Sequence, residues 1–379
     1  MIAAAWMVCA GSPAGAQEPK EEGGTQAYAS DPSTHVTFSQ KTTVLKRGTF
    51  ADADEENSLA NYYVKDFFPR FTQSKFWSRN PPRSDLIRDL RNDLAMAAKG
   101  TDGQQVYESL SKLTLEHMHR MAKAEAKHYH PATRVNAMLM IGELNVPAAV
   151  PVLVETVQDA KQLDAVRVAA MVGLIRHANL DLVGISDPAM LLSVVAAMTA
   201  IAEKPVPEDD SADGRNWIRA QAAEVLGLLG SAGNNAAAAK ALGTMVRDTK
   251  LPPAQRCRAA HALGRLSYDG AAIAAGPYLE ALGGLAQQAL TDEQKGSPNS
   301  RRLKGCLHDI LAGIQGADDQ HTGIGGLAKT AAEQAQRDGL LRVLVPVYES
   351  LNDVNLAPAV LATKVDDALQ ALSPLVKAR

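Results

Sequence analysis

The sequence predicts an all-α protein built from stacked antiparallel helical pairs, and three observations lead to this fold class. A helical motif recurs four times between residues 134 and 267. Apolar side chains recur at helical spacing in other segments, for example in Val150–Val157. The composition is 46% hydrophobic but only 4% aromatic, and small side chains let helices approach one another closely. Together these features favour stacked helices over a β-sheet.

The repeated motif starts with an arginine that is followed three residues later by an alanine. The arginines are Arg134, Arg167, Arg219 and Arg256, and the alanines are Ala137, Ala170, Ala222 and Ala259. Three positions before each arginine stands a residue suited to a helix start: Pro131, Asp164, Asn216 or Pro253. We expect a fifth, degenerate copy at Asn299 and Arg302, where Gly305 replaces the alanine.

This motif resembles the HEAT-like repeat family, whose second helix opens with Pro or Asp and continues with Arg, small residues and Leu-Gly. The resemblance covers residues 130 to 315, and it implies a right-handed α-solenoid of the HEAT/armadillo type. In that family an Asp and an Arg form a ladder between neighbouring repeats, and only Asp164 with Arg167 matches both positions. The resemblance implies a fold, and it does not imply a reaction.

Composition divides the chain into four segments. Residues 1–16 have the apolar run and the small-x-small site Ala14-Gly15-Ala16 of a signal peptide remnant, although no Lys or Arg precedes the run and a disordered tail is the alternative. Residues 17–56 are polar and are expected to form a flexible linker or strap. Residues 57–82 are an aromatic N-terminal cap or arm, and residues 83–379 are the helical array. We therefore expect a periplasmic or secreted protein.

The aromatic segment has two interpretations. Its candidate residues are Phe67, Phe68, Phe71, Phe76 and Trp77. A terminal repeat has no neighbour to cover its apolar face, so these side chains are expected to cap it. The alternative is a docking surface for a partner, since aromatic side chains dominate binding interfaces. The cap is the favoured interpretation.

Candidate chemical sites are weak throughout the chain. His117, His119, His128 and His130 lie close in sequence, but His117 and His119 point to opposite sides of a helix. The acidic segment 209–214 lacks the acid that a calcium loop needs at Ala220. The segment 323–330 resembles a phosphate loop but has Ala328 in place of a glycine and follows a helix. We expect no catalytic residue, no cofactor and no metal.

Cys257 and Cys306 stand on successive repeats. A disulfide between them is conceivable if their helices pack side by side, but we favour two buried thiols because free cysteine packs as a small apolar residue.

Charge and hydropathy exclude two classes of function. The formal net charge is −3, so there is no basic surplus with which to bind nucleic acid. Beyond the N-terminal run, no apolar stretch is long enough for a transmembrane span. We expect a non-catalytic protein–protein interaction scaffold, monomeric by itself, with a protein partner. The alternative is an accessory or regulatory subunit of a cell-envelope enzyme, or an enzyme with an unrecognised site.

Overall fold

A computed structural model describes residues 31–73, 85–205, 212–295, 300–353 and 355–376, without the side chains of residues 183 and 184. All regular secondary structure in these ranges is helical, and an isolated parallel bridge joins Ser231 to Ser267. The all-α prediction is therefore confirmed. Each helix in this part of the chain is too short or too polar to cross a membrane.

The N-terminal part contains α1 (Lys41–Arg47), α2 (Ala53–Tyr62), a π-helical turn (Tyr63–Phe67), a 3-10 turn (Phe68–Thr72), α3 (Asp85–Ala97) and α4 (Gln105–Ala122). The middle contains α5 (Pro131–Glu143), α6 (Ala149–Gln158), α7 (Asp164–Asn179), α8 (Val183–Ser186), α9 (Pro188–Glu203) and α10 (Ala212–Leu229). A 3-10 turn (Asn234–Ala236) leads to α11 (Ala237–Arg247), α12 (Pro253–Gly264), α13 (Gly276–Lys295) and α14 (Ser300–Gln315). The chain continues through a 3-10 turn (Ile324–Leu327), α15 (Ala331–Ser350) and α16 (Pro358–Leu372).

The helices pack in two rows. The first row contains α3, α5, α7, α10, α12, α14 and α15, each in contact with the next. The second row contains α6, α9, α11, α13 and α16, again each against the next. Sequence neighbours connect the rows, since α6 packs on α7, α9 on α10, α11 on α12 and α13 on α14. The apolar core lies between the rows.

The repeated alanines and glycines allow the first-row helices to approach closely. Ala137, Ala170, Ala222 and Ala259 are fully buried. A Cβ atom added to Gly142 would lie 2.6 Å from the Cα of Gly173, across the contact between α5 and α7. At Gly264 in α12, an added Cβ would lie 2.1 Å from the carbonyl oxygen of Ala312 in α14. Small residues therefore bring the backbones of these helices into direct contact.

Three of the four repeated arginines, Arg167, Arg219 and Arg256, join the two rows. Arg167 Nε donates to the carbonyl of Val157 at 2.9 Å, Arg219 Nε to that of Ala202 at 3.2 Å, and Arg256 Nε to that of Val246 at 2.8 Å. Each acceptor lies in the last turn of the second-row helix that precedes the arginine in sequence. The carbonyls at a helix C-terminus lack intrahelical partners and carry partial negative charge, so an arginine stabilises them. In these three copies the arginine therefore caps the end of the neighbouring helix, whereas Arg134 donates instead to the side chain of Gln162.

The fifth copy of the motif does not match the other four. The helix α14 does follow α12 in the first row, but Arg302 is exposed, whereas Arg134, Arg219 and Arg256 are buried. Gly305 is exposed too, and a Cβ added there would meet nothing within 4 Å. Neither residue occupies the buried position of its counterparts, and Asn299 lies outside the described residues.

Residues 31–56 are more ordered than the predicted linker. Residues 31–38 have no regular secondary structure, and the Thr34 amide donates to the Lys65 carbonyl at 2.9 Å. Helices then form at Lys41–Arg47 and from Ala53, and Val44 and Leu45 are fully buried. The prediction of a flexible linker or strap does not include α1, which an apolar pair buried against α3 and α4 anchors.

Candidate interaction surface

Polar side chains bridge neighbouring helices along the exposed side of the first row. The pairs are Arg91 with Glu143 at 2.8 Å, Glu143 with Arg176 at 3.3 Å, Glu224 with Arg258 at 3.7 Å, His261 with Asp309 at 3.2 Å, and His308 with Tyr348 at 3.4 Å. They span α3 to α7 and then α10 to α15. Partly exposed pairs of this kind contribute about 0–1 kcal/mol each to stability. Their main consequence is a surface of mixed charge, which we call the polar band.

Trp217 is the exposed aromatic residue of this band. It lies in the first half of α10, and 41% of its surface is exposed. The guanidinium carbon of Arg258 in α12 lies 5.3 Å from the centroid of the indole ring, within the range of a cation–π interaction. Because Glu224 also faces Arg258, the guanidinium is held between a ring and a carboxylate. Tryptophan and arginine are both among the residue types enriched at the hot spots of protein interfaces.

Farther along the band, three potential metal ligands come together. His261 of α12 and His308 and Asp309 of α14 each offer one ligand atom, and these atoms all lie within 4.8 Å of one another. Nδ1 of His261 is 3.2 Å from a carboxylate oxygen of Asp309, but it makes no hydrogen bond of normal geometry. The two imidazole rings are 5.7 Å apart. The sequence does not reveal this group, because its histidines are 47 positions apart and on different helices.

The two cysteines form a disulfide, which corrects the prediction of two buried thiols. Cys257 of α12 and Cys306 of α14 are bonded, and their Cα atoms are 5.4 Å apart. The side-by-side packing of α12 on α14 supplies the proximity that spacing alone could not establish. The bond lies one helical turn from His261 and from Asp309.

The aromatic segment is buried against the first helices of the array. Phe67, Phe68 and Phe71 are at most 4% exposed, and the ring of Phe68 stacks on His117 of α4 with centroids 5.1 Å apart. The Phe71 carbonyl accepts a hydrogen bond from Thr133 of α5 at 2.9 Å. This geometry supports the cap interpretation and leaves these three rings no free face for a partner. Phe76 and Trp77 lie outside the described residues.

A buried carboxylate attaches the same segment to α3. Asp93 accepts hydrogen bonds from the Tyr63 hydroxyl and from Lys41 Nζ, both at 2.7 Å. Burial and the neighbouring Asp93 raise the pKa of Tyr63 well above its usual value, so the phenol stays protonated as a donor. At the opening of the strap, the Asp31 carboxylate accepts from the Tyr129 hydroxyl at 3.0 Å.

The histidines between residues 117 and 130 serve separate local roles. His117 stacks on Phe68, and His130 Nδ1 accepts from the Ala132 amide at 3.1 Å, which caps α5. His128 packs on Tyr129 with ring centroids 4.1 Å apart. Burial lowers the pKa of His117, His119 and His130. Within the described residues, the structure does not bring these four side chains together as a ligand set.

The two other loop candidates form ordinary helix ends. Residues 209–211 lie outside the described part of the chain, and α10 begins at Ala212, so the second half of the calcium-like segment is helical. Within segment 323–330, Thr330 caps α15 through a capping box with Glu333. Hydrogen bonds from the Gly276 and Thr330 amides lower the pKa of Glu333 to about 2. This one carboxylate therefore accepts hydrogen bonds at the N-termini of both α13 and α15.

One further histidine is completely buried. His177 of α7 has no exposed surface, and neither ring nitrogen makes a hydrogen bond within the described structure. Burial, followed by the charge of the adjacent Arg176, lowers its pKa to about 4. His177 is therefore a neutral core residue at physiological pH.

A polar recess of ≈ 820 Å³ lies where α10 and α12 end. It is lined by turn residues together with Lys240 and Asp269, and two of its residues, Asn235 and Ala236, have φ values of 53° and 57°. A strained backbone of this kind often accompanies function. Within the recess, the Ser267 hydroxyl donates to the carboxylate of Asp269, two residues along, at 3.0 Å in an exposed side-chain hydrogen bond.

Comparison of the chain with protein-family models, with curated proteins and with solved structures finds no significant match to any of them.

Proposed function

We propose that this chain is a non-catalytic scaffold built as a right-handed, HEAT-like α-solenoid that binds a protein partner. Two observations support the architecture: helices of equivalent sequence follow one another in the first row, and three of the four repeated arginines cap helices of the second row. Stacked repeats of this kind present an extended surface to which one partner can bind along several repeats. The proposed solenoid comprises residues 83–379, the segment for which the sequence predicts a helical array.

The observation that carries the proposed binding role is the exposed Trp217 held by Arg258 within the polar band. The band alternates acidic and basic groups, whereas a nucleic-acid surface would be predominantly basic. Mixed charge around an aromatic and arginine anchor is characteristic of protein interfaces. We therefore propose that the partner contacts the first row around α10 and α12.

We further propose that the protein functions in the periplasm or outside the cell. The Cys257–Cys306 disulfide supports this location, since such bonds persist in oxidising compartments and are rare in the cytosol. The small-x-small site ending at Ala16 agrees with export. N-terminal sequencing of the protein from fractionated cells tests both points, and an intact Met1 in the cytoplasmic fraction would contradict them.

The binding proposal is tested by crosslinking in the compartment where the protein is found. The wild-type chain is compared with Trp217→Ala and with Leu192→Ala as a matched control. Leu192 is 49% exposed but lies on α9, in the second row. Truncating an interface anchor typically costs about 2 kcal/mol or more, which corresponds to a loss of affinity of roughly 30-fold.

We expect the wild-type chain and Leu192→Ala to crosslink to the same protein, and Trp217→Ala to lose it. The reverse pattern, in which only Leu192→Ala loses the protein, would place the interface on the second row. Equal capture by all three chains would refute the role of Trp217. Turnover of a substrate by the purified chain would refute the non-catalytic assignment.

A further inference from the structure

His261, His308 and Asp309 form a compact group of nitrogen and oxygen donors at the junction of α12 and α14. The donors come from two helices whose contact is fixed by backbone packing: an added Cβ at Gly313 of α14 would lie 2.7 Å from the Ala260 carbonyl oxygen. The group is partly exposed, with about 29% of the His261 and Asp309 side chains accessible. An ion can therefore reach it from solvent.

The distances suit a transition-metal ion. Zinc binds imidazole nitrogen at about 2.0–2.1 Å, so tetrahedral ligand atoms lie roughly 3.3 Å from one another. The 3.2 Å contact between His261 and Asp309 already has this separation. The largest separation within the group is 4.8 Å or less, and rotation of the exposed His308 side chain can shorten it.

Within the described residues, one donor atom makes no hydrogen bond of normal geometry. Nδ1 of His261 is buried and makes no normal hydrogen bond, even though Asp309 is close. An unsatisfied buried nitrogen is costly, and a metal ion bound between the imidazole and the carboxylate would satisfy both groups. Two imidazoles among three donors favour zinc and its neighbours in the transition series over magnesium or calcium, which prefer oxygen ligands.

The surroundings hold the donors in place. The Tyr348 hydroxyl of α15 lies 3.4 Å from Nδ1 of His308, and the two rings stack with centroids 6.0 Å apart. A hydrogen bond at Nδ1 leaves Nε2 of the same ring as the ligand atom. One turn away, the Cys257–Cys306 disulfide joins the two helices covalently and fixes their relative position.

We propose that His261, His308 and Asp309 bind one divalent transition-metal ion, with zinc as the preferred occupant and with a fourth coordination position open to solvent. Three protein ligands and an open position distinguish this arrangement from a closed, purely structural zinc site. The proposal is independent of the partner proposed above, because it concerns ligands supplied by this chain alone.

The test titrates the untagged, oxidised protein with zinc by calorimetry and with cobalt by visible absorption. We expect one ion per chain and a cobalt spectrum of low coordination number. His308→Ala and Asp309→Asn should each weaken zinc binding by at least about 10-fold, since even loss of a group supporting a ligand costs that much. His128→Ala is the matched control, because His128 is also an exposed histidine but lies far along the chain, after α4.

Three results would overturn the proposal. They are the absence of stoichiometric binding, equal binding by wild type and His308→Ala, and binding that arises only after the disulfide is reduced, which would indicate thiolate ligands. Because His308 is exposed, its alanine variant should fold, and far-ultraviolet circular dichroism of each variant checks this. Zinc should also raise the thermal midpoint of the wild type and not that of His308→Ala.

Discussion

Replacing Gly264 by alanine tests the close packing of the first row directly. Gly264 ends α12, where an added Cβ would lie 2.1 Å from the carbonyl oxygen and 2.4 Å from the carbonyl carbon of Ala312. Both atoms belong to the backbone of α14, so no side-chain rotation can relieve the clash. We expect Gly264→Ala to destabilise the protein, even though alanine is intrinsically the better helix former by about 1 kcal/mol.

The magnitude follows from the separation that the new methyl group requires. A contact of 2.1 Å must lengthen by about 1 Å, and a gap of this size costs a quarter to a half of each dispersion contact across it. We assume that α12 and α14 share about as many atom–atom contacts as one buried leucine makes, and each such contact contributes about 0.1–0.2 kcal/mol. The dispersion energy lost between the two helices is then of the order of 3 kcal/mol. This value is at the upper end of the about 1–3 kcal/mol typical of overpacked cores.

Gly305→Ala is the control, because Gly305 lies within α14 and an added Cβ there would meet nothing within 4 Å. It should stabilise the protein by about 0.5–1 kcal/mol through helix propensity. Denaturant unfolding of both variants, monitored by circular dichroism, gives the two free energies. If Gly264→Ala is as stable as the wild type, α12 and α14 do not pack with the backbone contact described above.

Three further predictions concern other parts of the molecule. Phe68→Ala should cost about 3–5 kcal/mol of unfolding free energy, because the ring is fully buried; a thermal midpoint equal to that of the wild type would instead favour a docking role for the aromatic segment. Cys306→Ser should cost up to about 4 kcal/mol, since the bond closes a loop across a sequence separation of 49, and reduction should raise the wild-type mass by two hydrogen atoms; a free-thiol assay that labels Cys257 and Cys306 in the native chain would contradict the pairing. The pKa of His177 is lowered to about 4 in the folded protein, so as the pH falls the unfolded chain takes up a proton at this imidazole before the native state does. The free energy of unfolding should therefore decrease by about 3 kcal/mol between pH 6.5 and pH 4. His177→Leu should reduce this decrease, and an unchanged pH profile of stability would show that His177 is not buried as described.

Much of the fold could be predicted from the sequence because the same helical motif occurs several times. The register of the motif predicts that its alanines face the interior between neighbouring helices, and Ala222 and Ala259 are fully buried. The specific role of the arginines was not predictable, since it depends on which carbonyl lies opposite each one. Arg167 donates to a residue ten positions earlier, whereas the acceptor of Arg219 is 17 positions earlier because the insert before α10 is longer.

The fifth copy of the motif matches the spacing in sequence, but its Arg302 and Gly305 are not buried in the structure. Arg302 follows Arg256 at an acceptable spacing, but α14 begins at Ser300 and its buried positions start at Leu303. A helix of 16 residues contains several positions three or four apart that satisfy a loose motif, and burial selects among them. Which of these positions is buried depends on the helix that packs against α14, and the sequence of α14 does not specify that helix.

The register between α12 and α14 explains why the disulfide and the group of metal ligands were both missed. Cys257 pairs with Cys306 at a separation of 49, and His261 faces Asp309 at a separation of 48. Two side-by-side helices keep nearly the same offset along their contact, so either pair, once known, predicts the other. Neither helix is a complete site by itself, since α12 supplies one donor and α14 supplies two. Because the covalent bond fixes that offset, reducing it should loosen the donor group before it unfolds either helix, and metal affinity should fall at reductant concentrations that leave the helical content unchanged.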